Sequence, residues 1–438
     1  GVAGYAPRGA PDRPMTKSQP SRSGHLRGLG RLVAEATLGV TELVEAVHAT
    51  IAAPTAPLGP PPAGETRGVS RVVYGSVRGV TRLVAGGLDT ALTRLAPVLG
   101  ELPPSARREA LVAALNGVLG DHLEATGNPL AIRMRLRRRG EDLSFDGTPA
   151  VEGPPASSRR VVLLVHGLCM SDAGWSREGH DHGVALERDL GLEAVHVVYN
   201  SGRHVSENGR SLAELLEAFV REAGVPPREI SVVAYSMGGL VVRSALVAGA
   251  RAEHGWPTLV RAVVFLGTPH HGAPAERLGN LAQAALGVSP WARPFARLGR
   301  LRSAGVTDLR HGRLLDEDRA DDDRFSRHGD TRVPVPLPSG IAFFAVAGTT
   351  ARETGGPDAR LAGDGLVPVA SALGHHRDPE RTLAFAPGRS WVAPETGHLE
   401  LLGSRAVCER VRAWLEDFGP DGAAAPAPPG GRACRPTS

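Results

Sequence analysis

Six runs of consecutive apolar residues, spaced by segments of helical periodicity, constrain the fold of this chain more than any other feature. They are RVVLLVHG (Arg160–Gly167), AVHVVYN (Ala194–Asn200), ISVVAY (Ile230–Tyr235), AVVFLG (Ala262–Gly267), IAFFAVAG (Ile341–Gly348) and RTLAFA (Arg381–Ala386). A strand with one wet face alternates apolar and polar residues, whereas a strand that is apolar throughout has both faces covered. Between the runs lie amphipathic segments. One helix is expected from Ser211, where Glu214 three residues on completes a capping box. Another is expected from Ser404, with Val407, Val411, Trp414, Leu415 and Phe418 on one stripe. LAIRMRLRRRG puts Ile132, Met134 and Leu136 on one face and arginines on the other, the pattern of an edge strand. The prediction is an α/β domain over 128–419, with a mostly parallel central sheet and helices on both faces.

The flanks have a different texture. Residues 1–26 and 420–438 are rich in Pro, Gly and Ala and are expected to be disordered tails. Residues 27–127 read as a helical region with a weak internal repeat: RLVAEATLGVTELVEAVHATI from Arg31 is echoed by RVVYGSVRGVTRLVAGGLDTAL from Arg71. A third helix is expected from Ser105 to Leu123, after LPPS. These helices fit a cap packed on the main domain better than a membrane-surface or partner-binding module, because their polar faces mix Glu42 and Glu45 with arginines. Peripheral membrane contact is the alternative. No apolar run is long enough for a bilayer and the first residues lack the apolar core of an export signal, so a cytoplasmic location is expected. Net charge is only +4, and Lys17 is the sole lysine. No arginine–aromatic interleaving accompanies the arginines, which argues against nucleic acid as a partner. Cys169, Cys408 and Cys434 show no paired spacing, so neither a disulfide framework nor a zinc site is expected.

Chemistry concentrates at VVAYSMGGLVVRSA, Val232–Ala245. Ser236 stands where a buried strand meets a helix, as either an ordinary helix-start residue or an activated nucleophile. A nucleophile there needs a sharp turn with small neighbours, which Ala234 and Gly238 supply, and Gly239 lets the helix pack on the sheet. The run LLVHGLCMSD ends a strand in His166-Gly167 and opens a loop. The backbone N–H groups of Leu168 and Met237 are then the candidate oxyanion donors. A serine needs a base and the base an orienting carboxylate. AGDGLVPVASA offers Asp364 and APETGHLELLG offers His398, each in a loop beyond a strand, in the order Ser, Asp, His. Asp358, Asp378 and Glu395 are the competing acids. His166 precedes the serine and reads as a loop anchor; it is counted with Gly167, Tyr235, His270 and His271 as lining a substrate site.

With HGLCM, AYSMGG, FLGTPHHGAP and DGLVPV followed by GHLELL on the page, the chain resembles the α/β-hydrolase superfamily. Within it, the chain looks like bacterial lipases and esterases and the related PGAP1-like hydrolases, over about 128–419. The resemblance implies an α/β-hydrolase fold, Ser236, Asp364 and His398 as a triad, Leu168 and Met237 as oxyanion donors, and an ester or lipid substrate. It implies no cofactor. Some members of the family hold calcium just after the catalytic histidine. Glu400 stands near that place without a second ligand, so no metal is expected. The insertion 274–340 is expected to form a lid, through Leu278, Leu281, Leu286, Trp291, Phe295, Leu298 and Leu301; LDEDRADDDRF within it reads as a solvated acidic run. Acyl transfer or thioester hydrolysis by the same triad stays open as an alternative activity, as does a membrane- or partner-binding scaffold with a vestigial triad.

Overall fold

The computed structural model describes residues 27–28, 30–31, 34, 106–143, 159–222, 226–274, 303–319, 330–352 and 363–417. The repeat at 31–92, both tails and the apolar positions 278–301 of the expected lid lie outside them, Arg31 and Ala34 excepted. The chain divides into two compact units, one of residues 1–103 with 128–130, the other of 104–127 with 131–438. In the first, the Asn128 side chain donates to the Gly28 carbonyl at 3.1 Å and accepts from the Leu130 N–H at 3.0 Å.

The second unit holds the sheet. Its elements in chain order are α1 (Ala106–Ala125), β1 (Arg135–Arg138), β2 (Glu141–Asp142), β3 (Arg160–Val165), β4 (Ser176–Arg177) and β5 (His180–Asp181). Next come α2 (His182–Leu190), β6 (Glu193–Val198), α3 (Val205–Glu222), β7 (Glu229–Tyr235), α4 (Met237–Arg251) and β8 (Val260–Leu266). The chain then forms α5 (Ala304–His311), β9 (Ala342–Gly348), α6 (Val369–Ala372), β10 (Ser390–Ala393) and α7 (Arg405–Asp417). Eight strands make one sheet in the order β10-β9-β8-β7-β3-β6-β1-β2, and β4 and β5 form a separate ribbon. The run from β10 to β6 is parallel; β1 joins β6 antiparallel, and β2 joins β1 antiparallel at the edge. This is the α/β-hydrolase fold.

Burial follows the two-faced strand pattern. Val162 and Leu164 of β3, Val264 and Leu266 of β8, and Phe344 and Val346 of β9 join Leu186 of α2 and Val407, Val411, Trp414 and Leu415 of α7 in one cluster. α4, with α3 against it, packs on β7 and β3. The α3–α4 crossing is tight: a Cβ on Gly209 would stand 2.2 Å from the Ser244 hydroxyl. α1 belongs to this unit. Gly117 and Gly120 let α1 lie directly on the loops after β3 and β6, against Cys169 and Asn200, and Asn200 Nδ2 donates to the Gly120 carbonyl at 2.9 Å.

Three expectations are corrected. RTLAFA is not a strand: Asp378 caps a 3-10 turn over Pro379–Arg381, Leu383 N–H donates to Gly374, and Phe385 N–H to Leu383. The last strand is the four-residue SWVA, Ser390–Ala393, paired with β9. Ser211 is not a helix start, because α3 begins at Val205. Finally, the acidic run is anchored rather than solvated over its described part. Asp318 is 6% exposed and accepts the N–H groups of Leu314, Leu315 and Val333, and Asp316 bonds Ser206 and Arg210. Among the described residues no helix is long and apolar enough to cross a membrane.

Candidate active site

Ser236 closes the β7 ladder and opens α4. Its backbone holds φ 53° and ψ −124°, a conformation L-residues rarely adopt, which costs on the order of 1–3 kcal/mol. Ladder and helix bonds on either side impose it: Ser236 N–H donates to Leu266 at 2.8 Å, and Gly239 N–H to Ser236 at 3.1 Å. The turn tolerates no side chain beyond it. A Cβ on Gly238 would meet the Val165 carbonyl at 2.4 Å, and one on Gly239 the Thr268 hydroxyl at 2.1 Å. Ala234 sits fully buried in the ladder between Val165 and Phe265.

The question of what the serine hydroxyl does has a geometric answer. It makes no helix-cap bond. Instead Ser236 Oγ lies 2.9 Å from His398 Nε2, and His398 Nδ1 lies 2.7 Å from Asp364 Oδ2. An ionised carboxylate only accepts, so Nδ1 carries the proton and Nε2 keeps the lone pair that faces the hydroxyl. Asp364 is itself fixed, its Oδ1 accepting the N–H groups of Leu366 at 2.9 Å and Val367 at 2.7 Å. The backbone N–H of His398 donates to the Asp364 carbonyl at 2.9 Å, locking the two loops together. All three side chains are buried, with Ser236 at 1%, Asp364 at 4% and His398 at 6% exposure. They reach one point from the ends of β7, β9 and β10, at the carboxyl edge of the sheet. There β3 lies between β6 and β7, the crevice where open α/β sheets bind ligands.

The remaining named residues separate into near and far. Gly167 is in the first group: a Cβ there would stand 3.0 Å from the Ser236 Cβ and the Tyr235 ring. Leu168 and Met237, adjoining it and Ser236 in sequence, are buried. The turn after Leu168 is set by Cys169, at φ 61°, whose N–H donates to Ser201 at 3.0 Å. Tyr235 is buried, its hydroxyl donating to the His398 carbonyl at 3.1 Å and its ring 5.0 Å from the imidazole. His166 is fully buried, stacked on Tyr199 at 4.3 Å and bonded through Nδ1 to the Gly167 carbonyl, which anchors the loop. His270 is also buried, against Phe265, 3.5 Å from Arg243. His271 bonds Gly374 through Nε2 at 3.0 Å. Neither bonds Ser236 or His398.

The competing acids are accounted for. Asp378 caps its turn and Glu395 pairs with Arg352 at the surface; Asp358 lies outside the described residues. Glu400 accepts the Gly397 N–H at 2.6 Å, closing the turn after His398. Cys169 and Cys408 are free and buried, and burial pushes the Cys169 thiol up to about 12. The sequence reading missed how Tyr235 holds the histidine loop and how α1 backs the loop of Leu168. The first had a local sign, an aromatic hydroxyl directly before the serine. The second had only the small residues Gly117 and Gly120.

The family model of a domain of unknown function (DUF7379) matches residues 138–294, under half of the chain, taking in Ser236 but neither Asp364 nor His398. No curated protein matches the chain significantly. Similar solved structures include a lipase, an esterase and a thioesterase. The mature Bacillus licheniformis lipase aligns at 23% identity over 61% of this chain and 96% of its own, with a TM-score of 0.38. A Pyrococcus furiosus esterase aligns at 14% identity over 60% of this chain and 83% of its own, with a TM-score of 0.35. A thioesterase from the prodiginine biosynthetic pathway of Streptomyces coelicolor aligns at 16% identity over 61% of this chain and 94% of its own, with a TM-score of 0.31. Scores of this size carry no argument about chemistry, which has to come from this chain's own side chains.

Proposed function

We propose that the protein is a serine hydrolase that cleaves carboxylic esters through an acyl-enzyme. The observation that carries this reading is the unbroken relay from Ser236 Oγ through His398 to Asp364, at 2.9 and 2.7 Å, on a strained turn that leaves the hydroxyl free of any cap bond. His398 Nε2 takes the Ser236 proton as Oγ attacks the ester carbonyl, and Asp364 stabilises the imidazolium that forms. The negative charge that develops on the carbonyl oxygen is held by the N–H groups of Leu168 and Met237, each worth about 10²- to 10³-fold in rate. Met237 suits the role because the first N–H groups of a helix have no partner within it. His398 then hands its proton to the leaving alcohol. Water, deprotonated by the same nitrogen, releases the acid.

The test is covalent labelling of the intact protein by a fluorophosphonate, read by mass spectrometry. One adduct on Ser236 is expected in the native chain, none in Ser236→Ala, and loss of labelling after unfolding. An unlabelled native protein that also leaves chromogenic short-chain esters intact would remove the hydrolase reading.

A further inference from the structure

Outside the Ser236 site, three ligand-type side chains converge where the β4–β5 ribbon, α2 and α7 meet. His180 lies in β5, His182 opens α2, and Cys408 sits in the first turn of α7. His180 Nε2 is 3.1 Å from His182 Nδ1. One nitrogen of each ring and the Cys408 sulfur all lie within 4.8 Å of one another.

The orientation of His182 is fixed from its far side. Its Nε2 donates to the Leu401 carbonyl at 2.9 Å, which leaves the Nδ1 lone pair facing His180. Ligating histidines are held in this way, with the second ring N–H tied to a carbonyl. A hydrogen bond between the two rings accounts for the His180–His182 pair but gives Cys408 no part in the arrangement. Two imidazoles and a thiolate suit a borderline divalent ion of the zinc class rather than calcium or magnesium, which take oxygen. Zn–N bonds of about 2.0–2.1 Å and a Zn–S bond of about 2.3 Å in a tetrahedron set N···N near ~3.3 Å and N···S near ~3.6 Å. The rings already stand near that separation, and the sulfur closes the rest by an approach of about 1 Å at most. Charges around the cluster nearly balance, Asp181, Asp189 and Glu409 against Arg188, Arg405 and Arg412.

We propose that His180, His182 and Cys408 form a binding site for one zinc-class divalent ion, with water in the fourth position. Binding replaces the Cys408 S–H bond by a sulfur–metal bond, and the proton leaves to solvent. The site is a structural clasp: it joins the ribbon, α2 and α7, and through His182 it holds the Leu399–Leu402 turn that directly follows His398.

The full chain, stripped with a chelator, is titrated with Zn²⁺ and with Co²⁺. The expected result is one ion per chain, with a thiolate-to-cobalt charge-transfer band and the intense visible bands of tetrahedral cobalt. His180→Ala and Cys408→Ser each weaken binding by at least about a hundredfold. His180 is half-exposed, so its removal leaves the fold intact, checked by circular dichroism. Ser236→Ala binds like the native chain, which keeps this result separate from the hydrolase reading. The proposal is overturned if no ion binds stoichiometrically, if cobalt binds without the thiolate band, or if binding survives His180→Ala.

Discussion

The hydroxyl of Tyr235 shows how one buried atom positions another residue. It donates to the His398 carbonyl at 3.1 Å, while Trp175 packs edge-on to its ring at 6.4 Å. Burial pushes this phenol well above its ordinary range, which keeps it a donor at neutral pH. Tyr235→Phe removes the donor, at a cost of about 1 kcal/mol. The expected outcome is a fall in kcat of about tenfold with KM nearly unchanged, because His398 shifts while substrate binding does not. Steady-state kinetics on a chromogenic ester check this. An unchanged kcat, or a change confined to KM, would mean that the histidine loop holds itself. At this scale the sequence was most legible where a residue had a local sign. Ser236 had its flanking small residues, and Asp364 and His398 each followed a strand. It was least legible where one hydrogen bond gave a side chain its role, as for Tyr235.

Elements were legible to the extent that their burial is apolar. Five of the six predicted runs form strands, because continuous Val, Leu and Phe have no alternative but two-sided cover. The sixth, RTLAFA, has that composition but turns on itself through the Asp378 cap, and the true last strand is too short to show a pattern. The early start of α3 was hidden for a different reason. Its first turns bury Ser206, Asn208 and Gly209, small and polar residues that make no apolar stripe. Gly209 among them allows α3 to approach α4 closely. Gly209→Ala therefore forces its methyl against the Ser244 hydroxyl, which itself donates to the Leu314 carbonyl at 2.8 Å. Overpacking of this kind costs about 1–3 kcal/mol, although alanine is otherwise the better helix former. Chemical denaturation is expected to show a lower midpoint with an unchanged slope. A gain in stability would show that the two helices separate freely.

The molecule as a whole carries a pH dependence in its buried imidazoles. Burial lowers His166 from 6.5 to about 4, and burial with the Arg243 charge holds His270 well below its ordinary range. Both rings are neutral when folded, whereas in the unfolded chain they gain protons below about 6.5. The unfolded state then binds more protons, so stability is full above that pH and declines as pH falls from about 6.5 toward about 4. Each ring contributes on the order of 1 kcal/mol per pH unit within that window. Denaturation midpoints at pH 7.5 and pH 5 check the sign; equal midpoints, or a higher one at pH 5, contradict it. The His180, His182 and Cys408 cluster belongs to this scale too. No spacing rule joins residues so far apart in the chain, and only the meeting of α2 with α7 brings them together.

The relay from Ser236 to His398 crosses four adjacent strands of the topology, with its base supplied by the last of them. On the proposed mechanism, synthesis must pass residue 398 before Ser236 gains its base, so a chain cut short of β10 is expected to stay chemically silent. On that reading, turnover doubles as a reporter that β10 has docked.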